Sequence, residues 1–188
     1  MSDFERDRDY CFTILNKFTK SESLIKHALA VETCVRAYAV KFNEDENYWG
    51  NVALLHDFDY EMFPSSEEHP YKGNEILKEK GFSDEFRRAV MSHADYTGVK
   101  RTSLLEKVLF ACDELAGFIT AVAYVRPSKT VDEVEVKSVL KKMKDKAFAR
   151  AVNRDDIKNG ASEISIPLDE HIQFCINAMK NNKEKLGL

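Results

Sequence analysis

Apolar residues recur at steps of three or four along nearly the whole chain, and this spacing constrains the fold more than any other feature. Between residues 21 and 41, for example, Leu24, Ala28 and Val31 would share one face of a helix. Only four prolines interrupt the pattern in 188 residues, and strand-like alternation is confined to residues 162–166. The sequence therefore predicts an all-α fold, a bundle of packed helices.

Capping residues and helix breakers indicate where the helices begin and end. Ser83 precedes one apolar stretch, and Ser103 with Glu106 forms a capping box before another. Thr130 precedes a further stretch with the same capping-box spacing, in which a glutamate follows three residues later. Gly81 is typical of a helix C-terminus. The predicted helices cover residues 4–18, 21–41, 46–57, 70–80, 83–93, 103–125 and 168–185.

Length and composition favour one helical domain. The chain of 188 residues is 44% hydrophobic, which is enough for one well-buried core. We expect a single domain over residues 1–188, with a functional core at about residues 21–126 and a helical C-terminal extension at residues 127–188. The net charge of -4 gives no general attraction for nucleic acid or an anionic membrane surface, so neither is expected as a partner.

The four cysteines indicate a reducing compartment. Cys11, Cys34, Cys112 and Cys175 are widely spaced, form no C-x-x-C pair and lie among apolar residues, as buried free thiols do. The first eight residues are charged and lack the apolar segment of a secretory signal, and no stretch is apolar over a membrane-spanning length. These features predict a cytoplasmic protein.

A histidine and an aspartate stand side by side after an apolar run, in a setting that favours metal binding. His56 and Asp57 follow residues 52–55, which are all apolar, so both side chains are expected near the interior. Asp113 lies inside another apolar segment, where an isolated charge would be costly. His27 and His93 also lie on apolar helix faces, and imidazole and carboxylate groups are good ligands for divalent ions.

The order of these residues resembles that of the HD-domain superfamily of metal-dependent phosphohydrolases, which are helical proteins. The resemblance runs through His27, the pair at residues 56–57, His69, His93 and Asp113. The sequence of residues 54–61 and the spacing His69-Pro70-x-x-Gly73 are similar to those of the HDIG-related subgroup of that superfamily.

The resemblance implies a divalent ion, such as Mn, Fe, Zn, Ni or Mg, and assigns its ligands. It places a primary ion at His27, His56, Asp57 and Asp113, contributed by three helices. In relatives with two ions, Asp57 would bridge both, and His69 and His93 would complete the second site. One ion is expected here, and the sequence leaves a second open. In such a site the catalytic residues would be Asp57, which would orient the attacking water if it bridges the ions, and His69 or His93, which would donate to the phosphate or the leaving oxygen where it is not a ligand.

The implied function is hydrolysis of a phosphomonoester or phosphoanhydride of a small molecule, with a nucleotide as the expected substrate. One departure keeps an alternative open, because Tyr60 occupies the position of a lysine found in part of the superfamily. A regulatory module that binds a nucleotide with metal but does not cleave it therefore remains a second hypothesis. A helical interaction protein without metal is a third, and the sequence does not decide whether the chain forms a homo-oligomer.

Overall fold

In the computed structural model, residues 3–188 are described, and they form ten α-helices joined by turns. No strand occurs in this range, so the all-α prediction is confirmed. Three short 3-10 helices cover Asp3–Arg6, Asp95–Thr97 and Val131–Glu133. The α-helices are α1 (Arg8–Phe18), α2 (Glu22–Phe42), α3 (Glu46–Leu54), α4 (Tyr71–Glu79), α5 (Asp84–Met91), α6 (Leu104–Tyr124), α7 (Val136–Met143), α8 (Arg154–Glu163), α9 (Leu168–Asn181) and α10 (Lys183–Leu186).

Helices α2 and α6, of 21 residues each, form the centre of the fold. They pack against each other, with α3 and α9 also on α2, and with α7, α8 and α9 also on α6. Val31, Val35, Leu109 and Leu115 are fully buried between these elements. Despite the length of the two central helices, none in residues 3–188 is apolar enough over a sufficient length to cross a membrane.

The C-terminal extension packs closely on the middle of α6. A methyl group at Gly160 of α8 would lie only 2.5 Å from the Cα atom of Ala111. From α9, Nε2 of His171 donates a hydrogen bond of 2.9 Å to the Ala111 carbonyl. Its Nδ1 then accepts from the Tyr38 hydroxyl at 2.6 Å. Burial lowers the pKa of His171 to about 4, so the ring is neutral, and its two hydrogen bonds join α9 to α2 and α6 in the interior.

Two predicted helices end earlier than the sequence pattern indicated. Helix α3 ends at Leu54 rather than at residue 57, and α5 ends at Met91 rather than at residue 93. In both cases a histidine just beyond the end bonds through Nδ1 to the carbonyl three residues before it, at 2.7 Å for His56 and 2.6 Å for His93. The side chain thus occupies a carbonyl that a further helical turn would have used. The expectation that these ligand candidates lie on helices was therefore wrong.

The other helix termini agree with the sequence in part. The capping box of Ser103 is present, Ser83 accepts from the Phe86 amide at 3.2 Å, and Gly81 has a left-handed φ of 84°. Thr130, however, caps only a 3-10 turn, and α7 begins later. The predicted first helix is divided at residue 7, and the predicted last helix is divided at residue 182 into α9 and α10.

All four cysteines are free and buried, as the sequence predicts. Cys34 of α2, Cys112 of α6 and Cys175 of α9 are each fully inaccessible to solvent. Burial and the neighbouring Cys112 thiol raise the pKa of Cys175 well above its usual range, so this thiol is protonated and unreactive at neutral pH.

The contact between Gly160 and α6 leads to a testable prediction. Gly160→Ala should lower the free energy of unfolding by about 1–3 kcal/mol, because the added methyl group meets backbone atoms that cannot move independently. Asn159→Ala on the exposed side of the same helix is the matched control and should change it by less than about 0.5 kcal/mol. Urea denaturation followed by circular dichroism measures both, and an unchanged Gly160→Ala midpoint would contradict the tight contact.

Candidate metal centre

All six side chains proposed as ligands meet at one place in the fold. Two are on the central helices, and the other four are in turns that border α3, α4 and α5. Side-chain exposure ranges from none at the innermost histidine to 23% at the most open aspartate, so the group is mostly buried but reaches solvent. The residues are His27 of α2, Asp113 of α6, His56 and Asp57 after α3, His69 before α4, and His93 after α5.

One cluster joins α2, α6 and the turn after α3. His27, His56 and Asp113 each offer a ligand atom within 4.8 Å of the others. The Oδ1 atom of Asp113 lies 3.0 Å from Nε2 of His27 and 3.4 Å from Nε2 of His56. The close packing of α2 on α6 therefore brings together residues that are 86 positions apart.

A second cluster lies beside the first. Asp57, His69 and His93 also offer ligand atoms within 4.8 Å of one another. The Oδ1 atom of Asp57 is 3.2 Å from Nε2 of each histidine. The two Nε2 atoms of His69 and His93 are themselves only 3.3 Å apart.

Asp57 connects the two clusters through its two oxygens. Oδ1 faces His69 and His93, whereas Oδ2 lies 3.5 Å from Nε2 of His56 and 3.8 Å from Nε2 of His27. A carboxylate that directs one oxygen to each of two donor groups has the arrangement required of a bridge between two cations.

Hydrogen bonds at Nδ1 orient two of the histidines. The Nδ1 atoms of His56 and His93 donate to the carbonyls of Ala53 and Val90, which can only accept. In the neutral ring the proton is therefore on Nδ1, and the lone pair of Nε2 points to the cluster. Because each carbonyl belongs to the end of a helix, α3 and α5 fix the direction of these ligand atoms.

His69 is oriented by a buried carboxylate instead. Asp59 accepts from Nδ1 of His69 at 2.8 Å through Oδ1, and from the Gly73 amide at 2.7 Å through Oδ2. A Cβ atom at Gly73 would lie 2.7 Å from Cγ of Asp59, so this close approach requires glycine. Glu61 makes a different contact, because it accepts from the amides of Lys20 and Ser21 at the start of α2.

The buried groups in the centre shift one another's pKa values strongly. Burial alone would lower the pKa of His56, but Asp57 and Asp113 outweigh it and raise this pKa to about 10. His69 shows the same balance, since its hydrogen bonds with Asp57 and Asp59 raise its pKa to about 9. Burial would raise the pKa of both Asp57 and Asp113, but the histidines hold it well below its usual range. Both carboxylates are therefore charged and attract positive charge.

The donor set fits a divalent cation. The Nε2 atom of His56 is buried, is directed into the cluster and makes no hydrogen bond. The Nε2 atoms of His69 and His93 face each other, which is unfavourable for two lone pairs unless a proton or a metal lies between them. Imidazole nitrogens with carboxylate oxygens are ligands for Zn, Mn, Fe and Ni.

Three residues that border the centre were not singled out by the sequence pattern. Tyr96 donates from its hydroxyl to the His69 carbonyl at 3.0 Å, from a turn that has no periodic signal. Burial and the charge of Asp113 raise the pKa of Glu114 to about 7, and Asp156 of α8 lies nearby. An acidic residue directly after Asp113 in an apolar helix is the one signal that could have indicated Glu114.

Comparisons with known proteins agree with this geometry. The protein-family model for the HD domain matches residues 24–117, half of the chain, and all six clustered residues lie within that range. No curated protein and no solved structure matches the chain.

The contact between Asp59 and His69 can be tested by mutation. Asp59→Asn should weaken Mn²⁺ binding by about 10- to 100-fold, because an amide cannot accept from both His69 and Gly73. Glu61→Gln is the control, since Glu61 contacts the backbone of the chain before α2 rather than a histidine of the centre. Calorimetric titration measures the affinity, and equal affinity for Asp59→Asn and wild type would show that this contact does not orient His69.

The pKa values of the histidines predict proton release on metal binding. At pH 7, metal-free His56 and His69 are protonated, with pKa values of about 10 and about 9. A nitrogen must lose its proton before it binds a metal, so the affinity for Mn²⁺ should rise between pH 7 and pH 9. Titration calorimetry in two buffers of different ionisation enthalpy should detect the released protons; binding enthalpies that do not depend on the buffer would contradict the prediction.

Proposed function

The chain belongs to the HD domain family, and on that basis we propose that it is a metal-dependent phosphohydrolase. The proposed reaction is cleavage of a phosphomonoester or phosphoanhydride of a small molecule, and the proposed substrate is a nucleotide. The observation that supports it best is the position of Asp57, with one oxygen toward each of two histidine clusters. The likeness of residues 54–61 to the HDIG-related subgroup is consistent with the same reaction.

The proposed ligands follow the two clusters. His27, His56, Asp57 and Asp113 would hold a primary divalent ion. The second cluster, in which His69 joins His93 and Asp57, would hold a second ion when one is present. Mn, Fe, Zn, Ni and Mg all suit these donors. The distances between the ligand atoms do not distinguish one bound ion from two.

In the proposed reaction, an oxygen of water forms a bond to phosphorus and the bond from phosphorus to the leaving oxygen breaks. A bound divalent ion would make water nucleophilic at neutral pH and polarise a phosphoryl oxygen. Asp57 would accept a hydrogen bond from the attacking water and so orient it. Where His69 or His93 is not a ligand, it would donate its proton to the leaving oxygen or a hydrogen bond to the phosphate.

The charges around the centre support metal dependence. The largest electrostatic influences on Asp57 and Asp113 come from histidines rather than from lysine or arginine. On the α6 side, Asp156 adds negative charge near Asp113, and Glu114, whose pKa is raised to about 7, adds more in the fraction of molecules in which it is ionised. A phosphate group approaching these carboxylates would be repelled unless cations in the centre compensate for its charge.

We also propose that residues 1–188 form one domain of the HD type, with a metal-binding core at about residues 21–126 and an extension at residues 127–188. The contacts of Gly160 and His171 with Ala111 support this, because the extension packs on α6 only two residues from Asp113. Such packing would stabilise the position of this proposed ligand.

Substitution of Asp57 tests the proposed function. Asp57→Ala should lower both metal content and turnover by at least about 100-fold, because it removes an oxygen from each cluster. Asp113→Ala should do the same and cost more stability, since it leaves histidines without their partner within the bundle. Asp155→Ala is the control, because Asp155 is exposed and pairs with Lys158 at the surface.

The measurement is phosphate or nucleotide release from a panel of phosphorylated small molecules, with metal content determined by elemental analysis. Circular dichroism establishes that each variant is folded. Turnover of folded Asp57→Ala equal to that of wild type would refute the assignment of the site.

The second candidate is a module that binds a nucleotide with metal and does not cleave it. The observation in its favour is Tyr60, which stands where part of the superfamily has a lysine. Tight nucleotide binding with no product after prolonged incubation in several metals would favour this module over the hydrolase. A protein that contains no metal and shows no thermal shift with added ions would instead be a helical interaction protein.

A further inference from the structure

We propose that Tyr60 and Tyr96 form a stacking surface for a planar ring of the substrate, such as a nucleobase. The inference rests on the proposed function, because it takes the two clusters to be the place where the phosphate group of the substrate reacts. It adds to that function the residues that would distinguish a nucleotide from a simple sugar phosphate.

Tyr60 lies against a proposed metal ligand and remains accessible. Its ring centroid is 5.2 Å from that of His69, and the two rings are nearly perpendicular at 85°. Tyr60 is nevertheless 40% exposed. One part of the ring is therefore held by His69, and another part is available to a ligand.

Tyr96 contacts the same histidine, His69, from another segment of the chain. The hydroxyl of Tyr96 donates to the His69 carbonyl, and Tyr96 is 52% exposed. The turn that carries it is fixed by Thr97, whose hydroxyl is bonded to the carbonyls of Met91 and Ala94. The ring is thus exposed but anchored at both its hydroxyl and its backbone.

Exposed aromatic rings are individually common at protein surfaces, but these are grouped. Of the eight large apolar residues that are exposed among residues 3–188, four lie in the segments that border His69. These are Tyr60, Met62, Tyr71 and Tyr96. An exposed apolar group beside a polar centre is typical of a binding surface. Tyrosines held in one orientation also provide contact area with little loss of conformational entropy.

The carboxyl groups around Asp113 favour the same placement of a substrate. Next to Asp113 are the carboxyl groups of Asp156 and Glu114; Asp156, and Glu114 where it is ionised, would repel an anionic part of a ligand. The edge at His69 presents the neutral rings of Tyr60 and Tyr96. A phosphate at the two clusters would thus extend its organic group over Tyr60 and Tyr96.

The experiment compares two ligands that differ only in the base. Calorimetry with Mn²⁺-loaded protein gives the dissociation constants of adenosine monophosphate and of ribose 5-phosphate. The base should strengthen binding to wild type by about 5- to 150-fold, the range expected for stacking on an aromatic side chain. The ratio of the two dissociation constants, that of ribose 5-phosphate divided by that of adenosine monophosphate, should fall toward one in Tyr96→Leu and Tyr60→Leu.

Two further variants separate stacking from structural support. Tyr96→Phe removes the bond to the His69 carbonyl but keeps the ring, so it should keep most of the ratio that Tyr96→Leu loses. Tyr124→Leu is a control for removal of an exposed tyrosine, since Tyr124 lies eleven residues beyond Asp113, about 16 Å along α6. It should keep the wild-type ratio.

Each outcome decides between the proposals. A ratio that is near one in wild type, or is unchanged in both leucine variants, overturns the stacking surface, as does failure of wild type to bind either ligand. A ratio lost equally in Tyr96→Phe and Tyr96→Leu also overturns it, in favour of structural support for His69. A ratio that depends on the rings, together with no phosphate or nucleotide release from either ligand or from the panel of phosphorylated small molecules, retains the stacking surface and refutes the hydrolase.

Discussion

The pairing of buried carboxylates with buried imidazoles determines the arrangement of this protein. Asp57 and Asp113 lie where an unpaired charge would cost several kcal/mol, on the order of a folding free energy. Four histidines from separate segments surround these carboxylates, and the raised pKa values of His56 and His69 show that a proton is held between these groups when no metal is bound. The packing of α2 on α6 and the ends of α3 and α5 serve to hold this group together.

The fold class and the convergence of the six residues could be predicted because both depend on strong local patterns. Periodicity gives helices, and charged or titratable residues within apolar runs identify the interior centre. The ends of α3 and α5 could not be predicted, since the imidazoles of His56 and His93 replace helical hydrogen bonds only in the folded protein. Likewise, Asp59 and Glu61 both follow Asp57 closely in the sequence, and only tertiary contacts show that Asp59, and not Glu61, reaches a histidine.

The position of Tyr60 bears on both catalysis and substrate recognition. A tyrosine there provides no permanent positive charge for a phosphate, which is why a module that binds without cleavage is a serious alternative. The same ring is suited to a neutral planar group, and its contact with His69 would couple the occupied surface to a proposed ligand. Substrate choice and metal coordination would then depend on overlapping contacts.

The use of His56 and His93 to end their own helices restricts how this chain can change. Helix length and ligand direction are set by one hydrogen bond at each site, so they cannot vary independently. Insertion or deletion of one residue within α3 or α5 would rotate the following side chain by about 100° around the helix axis. Length variation should therefore be tolerated in the exposed turns far from these two helix ends, and not within the segments that lead into them.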